Sequence, residues 1–193
     1  TLDFAFSQNI THLSAYLLKV EEGTAFFAHH DPLPPEEEVC DIYDSAVHKC
    51  KNTGYARYEI SNFAKEGYEC RHNLHYWRCE EYLGLGPSAH SFLNGKRFYY
   101  PRNLKSYLQG TLSPVDDGEG GGFDERVMLG LRLQEGIDLT DLQNQWPGET
   151  RQLLRRAEVL AQNGFVMLSP GHLSLAPDKY LISNSIISKL LFG

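Results

Sequence analysis

Residues 54–91 read GYARYEISNFAKEGYECRHNLHYWRCEEYLGLGPSAHS, and the rest of the chain is organised around them. A strand-like piece, Tyr55–Ile60, leads into a loop that carries His72, Asn73, His75, Tyr76 and Trp77. A glycine turn and a second histidine-bearing corner, Gly84–Ser91, follow. Between Lys65 and Lys105 seven lysines and arginines stand against four glutamates, in a chain of net charge −7. The same stretch holds eight of the chain's 23 aromatic residues. A basic, aromatic, histidine-bearing island in an acidic protein points to a flat anionic ligand rather than to nucleic acid.

The 193 residues suffice for one large domain or two small ones with an ample core. A hydrophobic fraction of 41% with 12% aromatics is that of a globular, soluble protein. No apolar run approaches the roughly 20 residues of a membrane span, and no signal-peptide pattern opens the chain. Thr1 stands where a methionine would, inside what reads as a helix, so the sequence is expected to be part of a longer protein. Cys40, Cys50, Cys70 and Cys79 lie far apart with no CxxC spacing, which predicts free thiols in a reducing, cytoplasmic setting. The acidic balance argues against nucleic acid, because neutralising phosphates requires surplus lysine and arginine.

Taken in order, Thr1–Asn9 reads as the end of a helix and His12–Val20 as a nearly continuous apolar strand, which suits a parallel sheet buried on both faces. A loop rich in histidine and proline covers residues 27–35. PPEEEVCDIYDSAVHKCKNTG, residues 34–54, is the clearest helix: prolines and glutamates open it, and Val39, Ile42, Tyr43, Ala46, Val47 and Cys50 share one face. Strand, helix and strand (YARYEI) then make a βαβ unit. Asn103–Gln109 reads as a short helix.

The expected fold class is α/β (α+β overall), with residues 1–110 as one domain, 111–122 as a glycine- and acid-rich linker, and 123–193 as a helical domain. Beyond the linker, helices over 123–133, 138–146 and 149–163 precede a hairpin turned at Pro170-Gly171 and a last amphipathic helix, 180–192. Three helices, a two-stranded wing and another helix form a winged-helix-like arrangement. Arg151, Arg155 and Arg156 on its third helix occupy the place of a DNA reader's contacts, although such a cluster on an acidic domain reads as a solvated face.

In HNLHYW, residues 72–77, a neutral imidazole is a good ligand for haem iron and needs a partner on its second nitrogen. Asn73 is a candidate for that partner, or bonds the backbone instead. Tyr76 and Trp77 offer flat faces to a macrocycle. Arg71, Arg78, Lys96, Arg97 and Arg102 are candidates for pairing with its carboxylates. A hydrogen-bonded structural histidine among aromatics is the competing reading. In GLGPSAHS the small residues would let a ligand approach the backbone near His90. Glu59 and Asn62 lie at a strand end, where α/β sheets bind ligands and where a capped loop would also place them.

HLSAYLLKVEEGTAFF (12–27), GYARYEISNFAKEGYECRHNLHYW (54–77), YLGLGPSAHS (82–91) and the terminal domain resemble, in order and over nearly the whole chain, the HemN/HemW group of radical S-adenosylmethionine proteins. YEISNFA with HNxxYW is the specific signature, and it resembles the haem-chaperone branch more than the oxidase branch. The resemblance implies an incomplete TIM-type barrel with a cysteine-ligated 4Fe-4S cluster and S-adenosylmethionine at its strands' C-terminal ends, then a helical domain. It implies a haem site with His72 as iron ligand beside Asn73, Tyr76 and Trp77. His75 would be an alternative ligand if the segment is helical. Lys19 and His90 would face S-adenosylmethionine through backbone or aliphatic atoms.

The CxxxCxxC cluster motif of the group is absent from this sequence, so no catalytic residue is assigned. The function implied is that of the C-terminal portion of a haem chaperone, which holds haem or a porphyrin and passes it to a recipient protein. Any membrane surface would be reached through that recipient, and a free barrel edge would invite self-association. Oxygen-independent coproporphyrinogen III oxidation is the alternative, and a winged-helix regulator the third class.

Overall fold

The computed structural model describes residues 1–29 and 32–193, in two units, Thr1–Cys70 and Arg71–Gly193. In the first unit, helix α1 (Leu2–Ser7) and strand β1 (His12–Ser14) are followed by α2 (Ala25–His29), α3 (Glu36–Asn52), β2 (Ala56–Arg57) and β3 (Asn62–Ala64). Glu36, Glu37 and Glu38 lie in the first turn of α3 and Lys49 and Lys51 in its last, where each charge complements the helix dipole. Tyr43 and Cys50 face inward, whereas Ile42 of the expected stripe is 53% exposed. Cys50, Tyr55 and Phe63 form the core, closed by Phe6, Ile10, Leu13 and Val47. The expected loop over residues 27–35 starts inside α2, and residues 30 and 31 lie outside the described residues.

The first unit keeps the expected strand–helix–strand order of β1, α3 and β2 but departs from the expected parallel sheet. Its sheet has the order β1-β3-β2, and β3 is antiparallel to both neighbours, with His12 and Ala56 both opposite Ala64. The turn between β2 and β3, residues 58–61, is too short for a parallel crossover, which needs about a dozen residues, so it can only reverse the chain. β1 and β2 do run in the same direction with α3 between them in sequence, but β3 is wedged between the two. The strand expected over His12–Val20 stops at Ser14, and Tyr16, Leu17 and Leu18 are exposed.

The second unit begins with α4 (Arg71–Trp77), the segment read from sequence as a loop. Next come a hairpin of β4 (His90–Leu93) and β5 (Lys96–Tyr99), α5 (Leu104–Leu108), and β6 (Val115–Glu119), which pairs with β5. β6 lies within the stretch read as a linker: its VDDGE sequence completes a three-stranded sheet, order β4-β5-β6. Asn103 caps α5 by accepting from the Ser106 amide at 3.0 Å.

Helices α6 (Phe123–Gly130), α7 (Leu139–Gln145), α8 (Pro147–Gln162) and α9 (Ser183–Phe192) surround a small sheet. That sheet contains β7 (Ile137–Asp138), β8 (Val166–Ser169) and β9 (His172–Leu175) in the order β7-β9-β8. The wing thus has three strands rather than the expected two, because Ile137 and Asp138 pair with β9 before α7 starts. Val127, Leu131, Leu153, Ala157, Leu173 and Leu190 are each at most 1% exposed and form the core between helices and sheet. Arg156, one of the three arginines on α8, donates to the carbonyls of Leu190 and Leu191 and so ties α8 to the end of α9.

Asp138 caps α7 through the amides of Thr140, at 2.7 Å, and Asp141, at 3.4 Å. The Thr140 bonds hold its carboxyl below the usual 3.8. A carboxylate whose folded pKa is depressed contributes stability that is present above its unfolded pKa and is lost as pH falls through the lowered value. The melting temperature is therefore expected to fall more steeply as pH drops below about 4 in the native protein than in Asp138→Asn, since asparagine caps equally well without titrating. Thermal scans across that range check this, and parallel curves for the two proteins would refute it.

Candidate functional site

Six of the seven α4 residues are the HNLHYW segment. On a helix His72 and Tyr76 are one turn apart, and their rings meet edge to face with centroids 4.8 Å apart at 87°. Tyr76 in turn meets Tyr82 edge to face at 4.5 Å and 82°. His72 is exposed, and neither of its ring nitrogens has a hydrogen-bond partner among the described residues. Asn73 is half-buried and lies about 100° around the helix from His72.

His75 differs from His72 in both nitrogens. Its Nε2 bonds the Glu81 carbonyl at 2.6 Å, and its Nδ1 is paired with the Glu80 carboxylate. The ring therefore closes the turn after α4, with each nitrogen facing an oxygen of that turn. Sequence spacing left the two histidines as alternatives, and the turn after the helix separates them.

The far end of α4 is fixed within its own unit. Arg78 makes a two-pronged bond to Glu135, with Nε to Oε1 at 3.0 Å and Nη2 to Oε2 at 3.2 Å. Glu135 raises the guanidinium pKa further. The Arg132 guanidinium lies 5.9 Å from the Trp77 ring centroid. Trp77 and Arg78 border a cavity of about 430 Å³ whose other walls include Arg126, Leu133, Ile137 and His172. Of the five cations assigned from sequence to ligand carboxylates, Arg78 is thus committed to Glu135 and Arg97 to Glu125. Arg71, Lys96 and Arg102 are exposed and have no ion pair among the described residues.

Elsewhere the polar residues singled out from sequence are held by their neighbours. Glu59, 1% exposed, accepts from the Ser61 amide at 3.2 Å and from the Asn62 side chain. Asn62 Oδ1 accepts from Ser14 at 2.5 Å, and Tyr43 donates to the Ile60 carbonyl at 2.7 Å. Glu59 and Asn62 therefore bind the β2–β3 turn to β1, the capped-loop alternative. Burial raises the Tyr43 pKa against the opposing pull of Arg57.

In the GLGPSAHS corner a side chain on Gly84 would overlap the His90 carbonyl. The space opened by that glycine is filled by the chain itself. His90 stacks on Tyr99 at 4.9 Å and pairs with Asp117 at 3.3 Å. Lys19, in the other unit, is exposed and paired with Glu21 at 2.9 Å.

The four cysteines are free, and burial raises the pKa of both Cys50 and Cys79, away from the thiolate that a cluster needs. Among the described residues no group of three or more His, Cys, Asp or Glu side chains is placed to hold a metal ion. The described residues do not fit a 4Fe-4S cluster. No helix among the described residues is long and apolar enough to cross a membrane.

Residues 124–178, from α6 to just beyond β9, match the HemN C-terminal domain family. The Heme chaperone HemW of Mycobacterium tuberculosis is 30% identical over 202 residues, spanning 99% of this chain and 50% of that protein. The chain is thus similar to the HemN/HemW group over nearly its whole length. Other relatives that it matches are the Heme chaperone HemW of Bacillus subtilis, 29% identical over 99% of this chain and 54% of the relative, and that of Escherichia coli, 37% identical over 55% of this chain and 29% of the relative. The chain spans about half the length of the relatives it matches from end to end. Among solved structures of the group, the E. coli coproporphyrinogen III oxidase HemN, described as a radical SAM enzyme, superposes on the whole chain with a TM-score of 0.69 at 19% identity, covering half of that protein. That likeness is one of fold.

Sequence reasoning missed Tyr82, Arg132 and Glu135, the residues that hold α4. None carries a local signature, since each acts across a gap in sequence that only the fold closes.

Proposed function

We propose that this chain is the haem-holding portion of a haem chaperone, with His72 as the iron ligand and release to a recipient protein as the outcome. The observation that carries this reading is the contrast within α4: His72 is exposed with both ring nitrogens uncommitted, whereas both nitrogens of His75 are bonded. The relatives named Heme chaperone HemW support it.

In this reading Tyr76, 37% exposed, and Trp77, half-buried, lie beside the porphyrin plane, and Asn73 completes the segment. Arg71, next to His72 and without an ion pair among the described residues, meets a propionate. A ligand on an exposed short helix binds iron with little enclosure, which favours exchange over permanent retention. Lys19 and His90 are each assigned to S-adenosylmethionine through backbone and aliphatic atoms, since Glu21 engages the Lys19 ammonium and Asp117 the His90 ring. The setting is cytoplasmic.

Haem transfer tests this function. Protein loaded with one equivalent of ferric haem and mixed with apomyoglobin is expected to yield the acceptor's Soret band to one equivalent. Failure to load at one-to-one stoichiometry, or haem that stays bound in the presence of excess acceptor, would contradict it.

A further inference from the structure

We infer that Tyr82 is the positioning residue for the haem ligand, at the base of an aromatic column that anchors the exposed His72 to the start of α6; this rests on the reading of His72 as iron ligand. The column runs from His72 to Tyr76 at 4.8 Å and from Tyr76 to Tyr82 at 4.5 Å, both contacts edge to face. Such contacts favour one relative orientation, because the positive ring edge meets the negative face. At its base the Tyr82 hydroxyl accepts from Arg97 Nη1 at 3.3 Å, while Arg97 Nη2 is paired with Glu125. Glu125 accepts from the Gly121 amide at 2.6 Å, so the pair sits at the first turn of α6.

Tyr82 is fixed independently of the ring contacts. Its backbone exchanges two hydrogen bonds with Phe92 of β4, at 2.8 and 2.9 Å, in an isolated bridge. The Arg97 guanidinium also lies 4.6 Å from the centre of the Phe92 ring. An exposed side chain such as His72 would otherwise sample several rotamers. Tyr76 blocks one side of its imidazole, and Tyr82 prevents Tyr76 from moving away. The ordering that haem coordination requires is thus partly complete before haem arrives. Tyr82 and Arg97 need not touch haem to act in this way.

The test compares the full chain with Tyr82→Leu, Tyr82→Phe, Tyr76→Ala and His72→Ala. Haem affinity, dissociation rate and the ferric spectrum are measured, with thermal melts as a check on folding. Tyr82→Leu is expected to weaken haem binding about two- to tenfold, the cost of ordering one side chain. Its dissociation should accelerate by the same factor, and its spectrum should change from one ligation state to a mixture. Tyr82→Phe, which keeps the ring, should restore the single spectrum. If Tyr82→Leu does not fold, the spectrum of Tyr76→Ala is read instead: this variant removes the middle of the column and should give the same mixture, while its affinity also carries the lost contact with the porphyrin plane.

A Tyr82→Leu or Tyr76→Ala protein with native affinity, rate and spectrum, while His72→Ala loses binding, would overturn the positioning role and leave the ligand assignment standing. Native binding by His72→Ala would overturn the ligand assignment, and the positioning role with it.

Discussion

Gly136→Ala is expected to lower the melting temperature by roughly 5–15 °C, a large effect for the addition of one methyl group. Two costs combine at this position. The backbone has φ +74°, a left-handed conformation that costs an alanine about 1–2 kcal/mol. The new Cβ would also overlap the Leu173 carbonyl oxygen and come within 2.6 Å of the Ser174 Cβ. The obstruction is the adjoining strand β9 rather than the end of a flexible side chain, so the backbone itself must shift. A total of about 2–4 kcal/mol follows.

The effect should also reach α4. Gly136 lies between Glu135, which holds Arg78, and Ile137, which pairs with Leu173. Displacing this turn moves the carboxylate that fixes the end of the helix. Far-UV circular dichroism melts measure the first effect, and a melting temperature within about 2 °C of wild type would show that the turn relaxes freely.

Much of the second unit was legible because its signals are local. Pro147 closes α7 and opens α8, Pro170-Gly171 turns the hairpin, and apolar spacing marks α8 and α9. The helix α3 was legible for the same reason. Less legible was whatever depended on partners distant in sequence. The run His12–Val20 looks like one long strand, but pairing with β3 ends at Ser14, with one further bond from the Ala15 amide to the Ser61 carbonyl. The β4–β5 hairpin carried a readable sign, Asn94-Gly95, with both residues at positive φ as a two-residue turn requires. The acidic stretch 115–119 carried none, since its glycine and aspartates disfavour strand and only pairing with β5 makes it one.

The candidate site divides in the same way. HNLHYW was visible as a cluster of side chains able to meet a macrocycle. Its helical form was not read from it, because histidine, asparagine, tyrosine and tryptophan are middling helix formers and so short a segment gives little periodicity. The distinction between His72 and His75 depends on Glu80 and on the Glu81 carbonyl, which approach His75 only once the chain turns at Cys79, φ +55°.

His72→Ala is expected to weaken haem binding by on the order of 100-fold or more, equivalent to about 2.7 kcal/mol. The size follows from the absence of a substitute ligand in the helix. Groups that merely support a metal ligand cost about 10- to 100-fold when removed, so the ligand itself should cost at least the upper figure. His75 cannot take over without breaking its bonds to Glu80 and Glu81. His75→Ala should accordingly keep the same Soret position and lose only a few-fold in affinity, as the turn after α4 loosens.

The most direct measurement is therefore a ferric-haem titration of the protein beside His72→Ala, followed at the Soret band. The account predicts saturation at one haem per chain with a shifted band in the native protein, and loss of that shift in the variant. An equal, saturable shift in His72→Ala would contradict it and place the iron on another residue.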